Sequence, residues 1–433
     1  MIVNNYKKII LDNGIPLYLY QDTSMKQVFV NYIVKYGYSG EFFKFELDGK
    51  KYDVGAGYAH YLEHLLLESS QYGDLTNYFS RKGYENNAYT KKDFTTFYFC
   101  GTKDIKDSLK KLIETIDNPK FTSKDVEKSR YSILDECRMY ERDFPYILTH
   151  LTEKNLFGDV ELYDDSLLIL GTTETEKNIN IENLKICYDA FYTDQNKVLV
   201  IGGNLDEKEV VNYLNDIYKN IDEHKSRVIL PKYDYSSIRN KSERLYKKGV
   251  NDMYSVGIKT KIPDEISIKD AYYFSKFLFK LTYSTISGYG LCDHSEALHM
   301  EKIDNYIYFI NSVVTRNFID YYNCFLSGMN RKNLTEDDFI ALKKMILSEQ
   351  IRELDNKYKP LLIFGDNMNY TENYSDIDYF NDLSYDKFKE VMNALDFSEY
   401  VRCKLTDSSN QDRKLVKVKK VERYPINIVF TSN

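Results

Sequence analysis

GYAHYLEHLLLE, Gly57 to Glu68, decides how the chain reads, because it sets His60, Glu63 and His64 at i, i+3 and i+4. On a 3.6-residue repeat these three side chains share one helix face. Two imidazoles one turn apart present two nitrogen ligands to a tetrahedral Zn²⁺, and a carboxylate beside them can take a proton from bound water. The order H-x-x-E-H inverts the commoner H-E-x-x-H of zinc peptidases. Five residues alone do not make a site. The same stretch also reads as an ordinary amphipathic helix, with Leu62, Leu65, Leu66 and Leu67 inward and a polar face in solvent. A structural zinc site would need four protein ligands, and only two histidines are offered here.

A third ligand should be a carboxylate on another element, and Glu136, 72 residues after His64, is the candidate. It lies in FTSKDVEKSRYSILDECRMYERD, where Thr122 or Ser123 can cap a helix and Val126, Ile133, Leu134 and Cys137 recur at helical spacing. Ile133 and Leu134 pack inward beside it. A carboxylate next to such a stripe is usually a solvated neighbour; the two-histidine helix gives this one a partner. Cys137 falls about 100° from Glu136 on the helix and reads as packing.

Six segments in order resemble the pitrilysin/insulysin family of inverzincin peptidases, which includes the mitochondrial processing peptidases. DNG at 12–14 is similar to the family's opening hairpin, and GYAHYLEH at 57–64 to its G-x-A-H-[FY]-L-E-H. ENNAYTKKDFTTFYF at 85–99 resembles its N-A-Y-T strand, and ILDECRMYERDFP at 133–145 the segment with its third zinc ligand. LILGTTE at 168–174 and FYTDQNKVLVIGGNLD at 191–206 resemble later landmarks. The likeness is strong over residues 6 to 220 and weak beyond.

The resemblance implies that His60, His64 and Glu136 bind Zn²⁺, that Glu63 is the general base, and that Asn87, Ala88 and Tyr89 form a sheet edge that holds an extended peptide. The family often carries a second glutamate seven residues before the metal-binding one; here that position is Ser129, two turns away on the same face. Loss of such a carboxylate can cost about 10 to 100-fold in metal affinity or rate. Glu68, one turn beyond His64, either substitutes in part for that carboxylate or faces solvent, and is read as the solvent-facing glutamate. In the second half, SEALHMEKIDNYIYFI at 295–310 lies on the family stretch that offers an arginine and a tyrosine to the scissile carbonyl. Tyr308 then takes the tyrosine position and Lys302 stands where arginine is expected.

The 433 residues suit two domains of roughly 200. Hydrophobic residues at 43% with 29% charged describe a globular chain. A net charge of -7, with no basic run, argues against a nucleic-acid surface. No apolar run approaches the ~20 residues that span a bilayer, and MIVNNYKKII is not a secretory leader. Six cysteines without a C-x-x-C pair suit reduced core thiols and a cytoplasmic location.

Strand-like runs at 6–20, 28–36 and 88–100 alternate with helices, with a small hairpin between 37 and 57. The reading is α+β, with two related domains, each a mainly antiparallel sheet layered with helices. Residues 1–222 form the zinc-binding domain, 223–240 a linker around Pro231, and 241–433 a related domain with no second H-x-x-E-H. The resemblance implies a zinc endopeptidase acting on extended peptides in a chamber, as a homodimer or a heterodimer with a related subunit. The alternatives are a non-catalytic or partner-dependent subunit of the same family and a structural zinc protein.

Overall fold

The Asn13-Gly14 turn joins β1 (Tyr6–Ile10) to β2 (Pro16–Gln21) as an antiparallel hairpin. Gly14 takes φ +89, a left-handed conformation that a β-carbon disfavours. The computed structural model describes residues 6–68, 73–157, 170–331, 333–355, 361 and 377–407. The strand-like run at Pro425–Thr431 and Leu168 and Ile169 of the LILGTTE stretch lie outside them.

The chain continues through β3 (Val28–Val34), β4 (Lys44–Leu47), β5 (Lys50–Asp53), α1 (Tyr58–Glu68), α2 (Leu75–Arg81), β6 (Glu85–Thr90) and β7 (Thr95–Gly101). β4 and β5 form the small hairpin expected between 37 and 57, and a short β9 (Val228–Ile229) joins its far side. The run read as one strand, Ala88 to Cys100, is instead two antiparallel strands. The charged Lys91-Lys92-Asp93 turns the chain, and the Lys91 N–H donates to the Phe94 carbonyl at 2.8 Å. α3 (Ile105–Asp117), α4 (Ser123–Tyr140), α5 (Phe144–Leu156), α6 (Thr173–Asn178), α7 (Ile181–Phe191), β8 (Lys197–Gly203) and α8 (Glu207–Tyr218) complete this half.

In the first unit, six strands form one sheet in the order β1-β2-β8-β3-β7-β6. Only β2 and β8 run parallel, so the sheet is mainly antiparallel. β8 is central and buried along its whole length, which explains the near-continuous apolar run KVLVIGG. One face carries Phe29, Ile33, Val198 and Val200 with Leu361 against them.

The second unit contains β10 (Ser242–Lys247), β11 (Met253–Lys261), α9 (Ile268–Gly288), β12 (His294–Ile303), β13 (Tyr306–Val314), α10 (Phe318–Met329), most of α11 (Glu336–Asp355), α12 (Ile377–Asp382), α13 (Tyr385–Ala394) and β14 (Glu399–Asp407). Its sheet runs β10-β14-β11-β13-β12, with β10 and β14 parallel and the other pairs antiparallel. Strand for strand this repeats the order and directions of β2-β8-β3-β7-β6.

The units are not contiguous in sequence. The chain passes from the first to the second after Lys232, within 223–240, but α5 also packs with the second unit and Leu361 with the first. Within the second unit α5 covers β11, β13 and β14: Thr149 Oγ1 meets Ser312 Oγ at 3.0 Å, and Asn155 Nδ2 donates to Glu243 Oε2 at 2.7 Å. Gly257 permits this close approach, since a β-carbon there would press on Thr152. None of the six cysteines, all among the described residues, is in a disulfide. No described helix is long and apolar enough to cross a membrane.

Candidate metal centre

α1 begins after Gly57, whose φ is +92. A β-carbon there would strike the Glu176 carboxylate and lie 2.9 Å from the Leu170 carbonyl. Leu62, Leu65 and Leu66 are buried on the helix. The polar face is buried too: His60 is 6% and Glu63 5% exposed, which excludes an ordinary solvent-facing stripe. The rings of His60 and His64 sit 4.6 Å apart, and one ligand atom each from His60, Glu63 and His64 lie within 4.8 Å of one another.

α4 brings Glu136 to the same place. Val126, Ser129, Ile133 and Cys137 form its buried face, while Leu134, expected inward, is only half-buried. Cys137 packs inward as expected, with its Sγ 4.0 Å from the Leu170 carbonyl. Glu136 Oε2 lies 3.4 Å from His64 Nε2 and 3.8 Å from His60 Nε2. Donors bound to one tetrahedral Zn²⁺ at ~2.0–2.1 Å stand ~3.3 Å apart, so two imidazole nitrogens and a carboxylate at these separations fit the ion. The two helices are clamped by Tyr61, whose hydroxyl donates to the Val126 carbonyl at 2.6 Å. Arg130 lies over the Tyr61 ring and donates to the carbonyls of Glu176 and Ile179.

Glu63 is held from β6, where Thr90 Oγ1 donates to its Oε2 at 2.7 Å. Burial pushes the Glu63 carboxyl up to about 7, against the Thr90 hydrogen bond and the charge of His64, which lower it. Burial, and then the neighbouring His64, hold His60 well below the usual histidine range, so it is neutral. Burial also lowers His64, but hydrogen bonds to Glu136 and Glu68 and the Glu63 charge outweigh it and raise this imidazole to about 10 in the metal-free protein.

Glu68 is not the solvent-facing glutamate expected. Its Oε1 lies 3.1 Å from His64 Nδ1, and Ser129 Oγ donates to its Oε2 at 3.4 Å. The His64 hydrogen bond lowers the Glu68 carboxyl despite partial burial.

Asn87, Ala88 and Tyr89 lie on β6, the edge strand of the first sheet, immediately before Thr90. Tyr308 does not have the freedom its expected role requires. It is 1% exposed on β13, with its hydroxyl 2.8 Å from Glu153 Oε1 and 2.7 Å from Glu301 Oε2. A phenol committed to two carboxylates inside the second unit is a packing residue. Lys302 lies on edge strand β12 opposite Ile307. Sequence reasoning missed Thr90 and Tyr61, and it weighed but set aside Glu68 as a partner of the site.

Residues 50–162, which include all four candidate residues, match the family model described as insulinase, peptidase family M16, and residues 178–344 match that of the M16 inactive domain. An uncharacterized zinc protease of Bacillus subtilis, YmfH, is 29% identical over 206 residues, 48% of this chain and 47% of its own length. The chain thus matches about half the length of that relative. A putative M16-like peptidase from Alicyclobacillus acidocaldarius has the same fold at TM-score 0.79 and 20% identity, over 93% of this chain and 98% of its own. The periplasmic protease PqqL from Escherichia coli superposes at TM-score 0.71 and 15% identity on 100% of this chain but 52% of its own. Two models of one family follow each other along most of the sequence: the chain belongs to the insulinase family of peptidases, M16.

Proposed function

We propose that the chain is a zinc-dependent endopeptidase acting on extended peptides, with His60, His64 and Glu136 as metal ligands and Glu63 as general base. The observation that carries this is the convergence of His60 Nε2, His64 Nε2 and Glu136 Oε2 beside a buried carboxyl. A Zn²⁺ held there supplies Lewis acidity to a peptide carbonyl and acidifies water at the site. Glu63, held by Thr90, takes the proton of the attacking water and returns it to the leaving amine. A carboxyl near 7 suits that transfer at neutral pH. His60 is already neutral, and His64 gives up its proton when a metal binds. The β6 edge supplies main-chain partners to a substrate strand and leads through Thr90 to Glu63.

Pairing belongs to the same reading. The chain fits half of the Escherichia coli protein, so two copies, or this chain with a related subunit, equal one such chain and would enclose a peptide chamber. Partner dependence is favoured by Tyr308: its hydroxyl is held by Glu153 and Glu301, leaving an oxyanion donor to come from elsewhere. Six cysteines outside disulfides support a reducing compartment, the cytoplasm.

The test is zinc content and peptide cleavage of the purified protein beside Glu63→Gln. About one zinc per chain in both, with cleavage lower by ~10²–10⁴-fold in the variant, is expected. Zinc without cleavage in the wild type selects the partner-dependent form, and absence of zinc removes the reading. Cleavage by Glu63→Gln at the wild-type rate removes Glu63 as base.

A further inference from the structure

We infer that Glu68 is the positioning residue for His64, fixing which imidazole nitrogen faces the metal, and that Ser129 holds Glu68 in place. The inference rests on the zinc reading proposed above. An imidazole can coordinate through either nitrogen, and the hydrogen bond at one nitrogen sets the lone pair at the other. In His64 the two nitrogens are sorted: Nδ1 lies 3.1 Å from Glu68 Oε1, while Nε2 lies 3.4 Å from Glu136 Oε2. A carboxylate can only accept, so it keeps the proton on Nδ1 and leaves Nε2 to the metal. The pair is spaced i, i+4 on α1, where side chains meet without bending the helix. His60 has no such support among the described residues, where its buried Nδ1 has no hydrogen-bond partner.

α4 completes the arrangement. Ser129, fully buried, donates to the second oxygen of Glu68. Seven residues later on the same helix face stands Glu136, so one helix supplies a ligand and also braces the residue that orients another. A short side chain at 129 leaves room for the carboxylate reaching over from α1. The orienting carboxylate thus comes from the histidine helix, and the serine is its partner.

Zinc dissociation constants from chelator competition test this on four proteins: wild type, Glu68→Ala, Ser129→Glu, and the double variant. Melting of the zinc-free proteins verifies folding. Glu68→Ala is expected to weaken zinc binding by ~10–100-fold. Ser129→Glu alone sets a second carboxylate against Glu68 and is expected to weaken binding as well. The double variant grows a carboxylate from α4 into the vacated space and is expected to regain most of the affinity lost in Glu68→Ala. A purely structural Glu68 would lower the melting temperature without this recovery. Wild-type affinity in folded Glu68→Ala, or no recovery in a folded double variant, overturns the inference while leaving the zinc reading intact. No zinc on the wild type overturns both.

Discussion

Replacing Thr90 by valine removes one hydroxyl, keeps the branched shape, and tests whether Glu63 is a tuned base. The Thr90 proton goes to Glu63 Oε2 at 2.7 Å, and the neighbouring Thr95 hydroxyl donates to the Tyr36 carbonyl at 2.9 Å. Thr95 therefore keeps its partner in the variant, and the change falls on Glu63. Thr90's bond favours the charged carboxylate, so its loss raises the pKa. A hydrogen bond to a charged group is worth ~1.5–3 kcal/mol, and one pKa unit corresponds to ~1.36 kcal/mol, which gives a rise of ~1–2 units. From about 7, the acid limb of kcat/KM moves upward by that amount. A metal ion shifts the limb in both proteins, so the difference between them is the quantity read. At a pH equal to the wild-type midpoint, the ionised fraction falls from half to ~1–10%, so kcat/KM drops ~5–50-fold. Raising the pH restores it. The assay is the pH profile of kcat/KM on a quenched peptide at constant zinc. A variant slowed equally at every pH, with its limb unmoved, refutes the tuning of Glu63 by Thr90.

Glu176 is fully buried with neither carboxyl oxygen hydrogen-bonded among the described residues, and burial pushes it up to about 8. A carboxyl raised on folding stabilises fully below its unfolded pKa of ~4.3, and that contribution fades as pH climbs through the folded value. Glu176→Gln should therefore raise the melting temperature relative to wild type at pH 9 more than at pH 5, and equal differences at both would refute the burial argument. Tyr308→Phe should cost ~1–3 kcal/mol of stability by removing the hydroxyl that Glu153 and Glu301 share, with zinc content and kcat unchanged. A fall in kcat of ~10²–10³-fold at full zinc loading would instead make Tyr308 an oxyanion donor.

What could be read from sequence was what repeats locally. α1 and α4 announce themselves by period, and the opening hairpin by Asn13-Gly14. The β6–β7 turn was hidden because ENNAYTKKDFTTFYFC has no glycine or proline to mark it. α5 was not read from sequence; Pro145 stands in its first turn, where its missing N–H costs nothing. Its inward residues include Thr149, Thr152, Glu153 and Asn155, which leave no clean apolar stripe. The proximity of His60, His64 and Glu136 was legible because each lies on a periodic helix. Thr90 and Tyr61 were not, because a hydroxyl's partner in the fold leaves no trace in spacing.

The duplicated sheet separates what the fold supplies from what the site requires. α9 joins β11 to β12, as α1 and α2 lie between β3 and β6, so the second unit has a helix in the corresponding place. There the buried residues include Phe274, Phe277, Leu278 and Phe279, and no histidine occurs in the helix. Such a helix gains free energy from each of these apolar side chains. α1 buries His60 and Glu63 instead, and desolvating imidazole and carboxyl groups opposes folding unless something binds them. One architecture accommodates both helices, so the layered sheet does not itself demand a polar centre. The polar groups retained on α1, together with Glu136 from α4, suit the proposed site, where a bound cation would offset the burial of His60, His64 and Glu136 and leave Glu63 beside it as the base.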